Sequence, residues 1–400
     1  MDGESLLSGL TATQRTAVVT PDEPLCILAG AGAGKTRVLT RRIAYRVATG
    51  TADPRHVLAL TFTRRAAAEM AGRLRELGTA QVSAGTFHAI AYSQLRQYWA
   101  DRGVTAPVLL ERKSRLLVEL ARDRPQLGEV PVSGLAAEIE WAKARLVSPE
   151  EYEDAIGKSG RPSPVPAGAM AGLYARYEVE KKRRRLADFD DLLIRCLTAL
   201  ETDPAFAAAQ RWRWRHLFVD EFQDVNPLQH RLLLAWLGVR LDLCVVGDLN
   251  QSIYAWNGAD PALLRDLQMQ WPSAKVARLE DNHRCTPQVV ATAAAVLGHD
   301  GAGLRSTCSP GLAPVIRRYW SDRAEAQAVA IELREAGARG LAWSQLAVLF
   351  RTNAQACLFE EALRAAHVPY RLSGVTATEE VTAAGEKTAK DERQRSDRSG

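Results

Sequence analysis

Lys35 and Thr36 close the stretch LCILAGAGAGKT, Leu25 to Thr36, in which a short apolar run breaks into alternating glycine and alanine. Small residues let successive backbone N–H groups wrap a chain of phosphates, and a helix opening at the end of the loop adds partial positive charge. Leu25 to Leu28 read as a buried parallel strand, and the residues after Thr36 have helical spacing, so the strand, loop and helix that a P-loop needs are all present. On this reading Ala29, Gly30, Ala31, Gly32, Ala33 and Gly34 form the cradle for ATP, with Arg37 just inside the helix. Lys35 reaches the β- and γ-phosphates, and Thr36 offers its hydroxyl to Mg²⁺. The consensus pattern has glycine where this chain has Ala29. A plain glycine-rich turn is the rival reading, and the flanking elements and the GKT ending argue against it.

A second group of residues answers the first. His216 to Val219 is an apolar strand that delivers Asp220 and Glu221 in VDEFQDVN. Adjacent carboxylates at a strand end can divide labour: Asp220 holds Mg²⁺, while Glu221 orients and deprotonates the attacking water. Leu243 to Val246 is another buried strand, leading to VVGDLNQSIYAWNGA, where Gln251 is an uncharged hydrogen-bonding residue near the expected γ-phosphate. Arg284, in RLEDNHRCT, is able to present a guanidinium across a cleft to charge developing on that phosphate. Gln14 lies on a short helix within Leu10 to Val18, opened by Thr11 or Thr13, and its amide suits the edge of an adenine.

A third set has the chemistry of nucleic-acid binding. Thr61, Phe62, Thr63 and Arg64 follow the strand Val57 to Thr61, and Thr86, Phe87 and His88 follow the strand Gln81 to Gly85. Ligands gather at the carboxyl ends of strands in open α/β sheets, and aromatics with hydroxyls and cations there are able to grip a nucleic-acid strand. Tyr254 and Trp256, two apart beyond Gln251, form a base-stacking platform on the loop that carries the phosphate sensor. Core packing is the competing reading for Phe62, Tyr254 and Trp256. The five cations from Lys181 to Arg185 read either as a solvated helix face or as a phosphate-tracking surface.

The elements that position these groups alternate strand and helix on both sides of a long helical stretch. From about Ala89 to Leu186 the alternation stops, with turns at Arg124-Pro125 and Gly160 to Pro166. The chain is 400 residues, enough for two or three domains, with 46% hydrophobic and 25% charged residues, an ordinary globular composition. A formal charge of +5 leans weakly toward polyanions. Six cysteines show no C-x-x-C pairing and read as buried thiols of a reducing cytoplasm. No apolar run approaches a membrane span, and the N-terminus has no signal-peptide pattern.

Taken in order and spacing, AGAGAGKT, TFTRRAAAEM, VDEFQDVN, VVGDLNQSIYAWNGA, LEDNHRCT and AVLFRTNAQACLFEEAL resemble the UvrD/Rep/PcrA family of superfamily 1 DNA helicases, over about residues 6 to 374. The resemblance implies an ATP-driven 3′-to-5′ translocase on single-stranded DNA and at duplex–single-strand junctions, cytoplasmic, working beside repair or replication proteins. It implies Gln14 as the adenine-reading glutamine, Gln251 as the residue coupling ATP to DNA, and Arg284 as an arginine reaching the γ-phosphate from a second motor domain. His283 stands where the family usually has an adenine-stacking tyrosine, and Asn257 where it usually has arginine.

The expected fold class is α/β, a RecA-like P-loop parallel sheet with an inserted helical subdomain and an incomplete second RecA-like domain. Residues 1–90 and 186–272 are expected to form the first domain, 91–185 the insert, 273–374 part of the second domain and 375–400 a disordered tail. Because the later family motifs have no match, the chain reads as truncated. A protein that binds ATP and DNA without unwinding is therefore the main rival. A P-loop kinase or metabolic ATPase leaves the ordered DNA-contact motifs unexplained.

Overall fold

A computed structural model describes residues 2–21, 23–122, 127, 130–298 and 303–372. The chain divides into two compact units, Met1–Ala313 and Pro314–Gly400. In chain order the strands of the described residues are β1 (Leu25–Ala29), β2 (Val57–Thr61), β3 (Ser83–Thr86), β4 (Val108–Leu109), β5 (Leu186–Ala187), β6 (His216–Val219), β7 (Leu243–Gly247), β8 (Lys275–Leu279), β9 (Asp281–Asn282) and β10 (Arg305–Ser306). Six of them form one parallel sheet in the order β3-β2-β6-β7-β1-β8.

The central strands are apolar on both faces because both faces are covered. Cys26, Leu58, Leu60, Leu217, Val219, Leu243 and Val245 turn to one side, under helices Phe87–Asp101, Phe189–Thr202 and Pro227–Leu237. Leu25, Ile27, Val57, Ala59, Phe218, Cys244 and Val246 turn to the other, under helices Ala12–Val19, Lys35–Ala48 and Arg64–Glu76. The period of two along each strand thus builds two cores with one sheet between them. β6, β7 and β1 are neighbours, so the loops leaving their carboxyl ends converge.

The packing groups two stretches differently from the expected domain limits. Residues 91–101, expected in the insert, complete helix Phe87–Asp101, whose Ala91, Leu95 and Trp99 pack in the sheet core. The insert leaves instead at a two-residue parallel stem, Val108 opposite Leu186 and Leu109 opposite Ala187. Its core includes Leu117, Ile139, Tyr152, Met170, Leu173 and Tyr177. Residues 275–279, expected in the second domain, pair as β8 along the whole of β1, and residues 273–313 belong to the first unit. β8 is an edge strand with Lys275 and Arg278 exposed, so its sequence lacks the continuous apolar run that marks its neighbours.

In the second unit helices Asp322–Ala338 and Ala356–Ala365 pack through Ala326, Ala330, Phe359 and Leu363. Leu346 to Phe350, an apolar run of strand type, forms no strand, although Val348 and Phe350 pack on that cluster. The expected turn at Arg124-Pro125 and the expected disordered tail lie outside the described residues. Cys26, Cys196 and Cys244 are buried free thiols as expected, whereas Cys285 and Cys308 are half-buried and Cys357 is exposed. No helix of the described residues is long and apolar enough to cross a membrane.

Candidate active site

The loop after β1 makes its turn with Gly32 at φ +71° and Gly34 at φ +85°, conformations that glycine adopts without strain. Space demands glycine at Gly32 as well: a Cβ there would lie 2.9 Å from the Cβ of Arg284 and 3.0 Å from the Asn282 amide. Ala29 is the last, buried residue of β1, so the departure from the consensus glycine places a methyl in the core and strains nothing. Helix Lys35–Ala48 starts at the lysine, with Gly34 as its N-cap.

Gln14 is buried and braced against this loop. Thr11 caps its helix in a capping box, the Gln14 Oε1 accepting from the Thr11 N–H at 3.2 Å, while Gln14 Nε2 donates to the Ala33 carbonyl at 2.9 Å. One N–H of the amide remains for a ligand. Arg37 is exposed, and its guanidinium donates to the Gly9 carbonyl at 2.9 Å.

Lys35 Nζ lies 3.6 Å from Glu221 Oε2 and 4.0 Å from Asp248 Oδ2. The Thr36 hydroxyl donates to Asp220 Oδ2 at 2.9 Å. Glu221 holds a left-handed backbone, φ +53°, a conformation that costs a non-glycine residue about 1–3 kcal/mol and is found where a site over-determines it. One lysine therefore faces Asp220, Glu221, Asp224 and Asp248. Burial, with the neighbouring Glu221 carboxylate, pushes Asp220 up to about 6 and Asp224 up to about 7. A hydroxyl and carboxylates in excess of cations are a hard-oxygen donor set, which fits a divalent cation such as Mg²⁺.

Asp224, Asp248 and Asn282 escaped the motif reading. Asp248 ends β7 as Asp220 ends β6, and a carboxylate following a buried strand was a signal available in the sequence. It accepts from Gln251 Nε2 at 2.6 Å. Asn282 is 2% exposed; its amide donates to the Ala31 carbonyl at 2.6 Å and accepts from the N–H groups of Arg284 and Cys285. The His283 N–H donates to the Gly32 carbonyl at 3.0 Å. The segment bearing His283 and Arg284 is thereby fastened to the loop after β1 within the first unit. Both side chains are exposed, His283 bonded to the Thr307 hydroxyl and Arg284 without a carboxylate partner among the described residues.

Tyr254 and Trp256 lie together beside Phe62, which follows β2. Phe62 stacks on Tyr254 with ring centroids 5.5 Å apart, Tyr254 lies 6.3 Å from Trp256, and Trp256 is 53% exposed, which excludes core packing for it. Arg161 of the insert donates to the Trp256 carbonyl at 3.2 Å. Phe62, Arg64, Thr86, His88, Tyr92 and Arg96 line an open groove of about 1230 Å³. Burial lowers the His88 pKa, favouring the neutral ring. Thr63 is exposed and caps the helix Arg64–Glu76.

Two expected contacts fail. Phe87 is buried and stacked on Trp236 in the sheet core, because the first turn of its helix points at the sheet. Thr61 is 1% exposed at the end of β2 and offers no surface. The cation run also divides: Lys181 is buried among Glu178, Asp188 and Asp191, and Arg183 and Arg184 pair with Glu180. Lys182 and Arg185 alone of the five are exposed without an ion pair.

A parallel sheet with a glycine loop after β1 and acids ending β6 and β7 defines a P-loop nucleotide-binding protein of the RecA-like kind. Residues 10–272 match the UvrD/REP helicase N-terminal domain and residues 277–378 the UvrD-like helicase C-terminal domain. The chain belongs to the UvrD/REP helicase family. It is 44% identical over 394 residues to the ATP-dependent DNA helicase UvrD2 of Mycobacterium bovis, covering 93% of this chain and 56% of that protein. It is 34% identical over 389 residues to the ATP-dependent DNA helicase PcrA of Bacillus subtilis, covering 93% of this chain and 51% of that protein. The chain thus spans about half the length of the curated relatives it matches.

Proposed function

We propose that this chain binds Mg-ATP at the P-loop and single-stranded DNA at the aromatic loop, and that it carries the motor chemistry of a 3′-to-5′ DNA translocase. The observation that carries the reading is continuity: Lys35 lies between Glu221 and Asp248, Asp248 holds Gln251, and Gln251 opens the segment that presents Tyr254 and Trp256. Bound magnesium would neutralise phosphate charge and polarise the γ-phosphoryl group. Thr36 and Asp220 would hold it. Lys35, drawn from Glu221 to the phosphates, would leave that carboxylate free to take a proton from water. Gln14 would meet the adenine edge through its remaining N–H, with His283 beside it. Arg284, unpaired and next to Gly32, would face the γ-phosphate. Phe62, Tyr254 and Trp256 would stack bases without regard to sequence, and Thr63, Arg64, Thr86 and His88 would follow the backbone.

The test is phosphate release by the purified chain with and without oligothymidylate, alongside strand separation on 3′-tailed and 5′-tailed duplexes. DNA-stimulated hydrolysis and separation of the 3′-tailed duplex are expected. Trp256→Ala should weaken single-strand binding by about 1–3 kcal/mol for any sequence. A second reading, ATP and DNA binding with weak hydrolysis and no unwinding, is favoured by one observation. The described residues of the second unit hold two α-helices, two short 3-10 turns and no strand. Hydrolysis without strand separation selects it.

A further inference from the structure

Gln223 sits in the short turn Phe222–Asp224, 1% exposed, directly after Phe222 of the sheet core and two residues after the strained Glu221. Both ends of its amide are committed. Nε2 donates to Glu221 Oε2 at 2.9 Å, and Oε1 accepts from the Asp248 N–H at 2.9 Å. Its backbone carbonyl also accepts from the Ser252 hydroxyl at 3.4 Å. A Cβ on Gly247 would lie 2.8 Å from Gln223 Oε1, so the end of β7 is shaped to admit the amide.

Breaking either bond leaves a buried polar group unsatisfied, so the turn after β6 and the loop after β7 are tied to move together. The geometry requires an amide: one end must donate to a carboxylate while the other accepts from a backbone N–H. The same Glu221 oxygen and the Asp248 carboxylate are the two acidic groups nearest Lys35, at 3.6 and 4.0 Å, and Asp248 holds Gln251. Phosphate that draws Lys35 away removes the counter-charge from both ends of the Gln223 bridge at once.

We propose that Gln223 is a positioning residue through which nucleotide at the P-loop and single-stranded DNA on the Tyr254–Trp256 loop change each other's affinity. The proposal rests on the ATP- and DNA-binding reading above. Gln223 touches neither ligand. It transmits because it joins the carboxylate beside Lys35 to the first residue of the aromatic loop.

The experiment measures the affinity of fluorescein-labelled oligothymidylate by anisotropy, with and without Mg-AMP-PNP, for wild type, Gln223→Leu and Gln223→Glu. Wild type should show a ratio of affinities of about 5-fold or more, and linkage requires the same ratio for nucleotide affinity with and without DNA. In Gln223→Leu each ligand alone binds close to wild type and the ratio collapses toward one. Gln223→Glu keeps the acceptor for Asp248 and loses the donor to Glu221, so it isolates that arm and carries the test should the leucine variant not fold. A merely structural lesion lowers the melting temperature and both affinities and leaves the ratio in place. An unchanged ratio in a folded variant overturns the inference and leaves the ATP and DNA reading standing. So does a wild type that binds both ligands with no coupling. A wild type that binds neither overturns the underlying reading, and the inference with it.

Discussion

Two clusters of buried carboxylates and lysines lie in the first unit and are satisfied in different ways. Beside the insert stem, Lys143 and Lys181 sit among Glu178, Asp188 and Asp191, with every nitrogen–oxygen distance between 2.6 and 3.1 Å. Tyr177 adds a hydrogen bond to Asp188 at 2.9 Å, and Asp188 and Asp191 cap the following helix. Those three carboxylates converge closely enough to ligate a metal, but ammonium groups already fill the space between them. Against the penalty of burial, Lys143, Lys113 and Lys181 hold Asp188 well below the carboxylate range. At the phosphate loop a single lysine faces four carboxylates from 3.6 Å or more, Asp220 and Asp224 titrate high, and Asp224 Oδ1 is buried with no hydrogen-bond partner. A cluster in which every acid is paired with ammonium groups is a structural joint between insert and sheet. One left short of positive charge is poised for a cation and a ligand.

The largest test of this contrast is kinetic. Glu221→Gln keeps the shape and the lysine but loses the base, so hydrolysis should fall by about 10²–10⁴ while a fluorescent ATP analogue still binds. Lys35→Ala should instead weaken that binding. The assignment is wrong if the glutamine variant binds no nucleotide and the alanine variant binds normally. At the stem the same class of lesion should be structural. Lys143→Met removes one of the two ammonium groups shared by Asp188 and Asp191 and should cost about 3–5 kcal/mol in urea unfolding, with nucleotide affinity unchanged in the folded protein.

The two sites should also answer pH with opposite signs. Asp220 has a raised pKa, so its contribution to stability is complete below its ordinary value and is lost as pH rises through about 6. Asp220→Asn should therefore stabilise the nucleotide-free protein by roughly 3 kcal/mol above that pH, with the gain shrinking toward pH ~4. Asp188 has a depressed pKa, so its contribution is present above the ordinary value and disappears only in acid. Asp188→Asn should destabilise at neutral pH. Thermal melts across this range read both, and parallel behaviour of the two variants would erase the distinction. The smallest effect belongs to the exposed arginines of the cation run: Arg183→Ala and Arg184→Ala should leave the melting temperature unchanged, unlike Lys181→Ala.

What the sequence determined by itself was local. A glycine loop between a buried strand and a helix specifies the turn proposed to cradle phosphate, because the backbone torsions, the helix start and Lys35 lie within a few residues of one another. Strand-end acids such as Asp220 and Glu221, and the Tyr254–Trp256 loop, are legible for the same reason. Tertiary structure decided which of these ends meet. Thr36 reaches Asp220 across 184 residues because β6, β7 and β1 are neighbours in the sheet, and a period-two apolar pattern states which faces are covered but not which strand lies alongside. The same indifference hid the pairing of β8 with β1. Phe62 and Phe87 both follow strands, yet one faces the groove and the other the core, since only packing sets the direction of each helix start. Lys181 stands in a run of like charges, and burial among carboxylates from another helix, invisible in one dimension, made it a structural ion. Gln223 reads as an ordinary residue in VDEFQDVN until the fold brings Asp248 to its other end, because a bridge has no signature until both of its ends are in place.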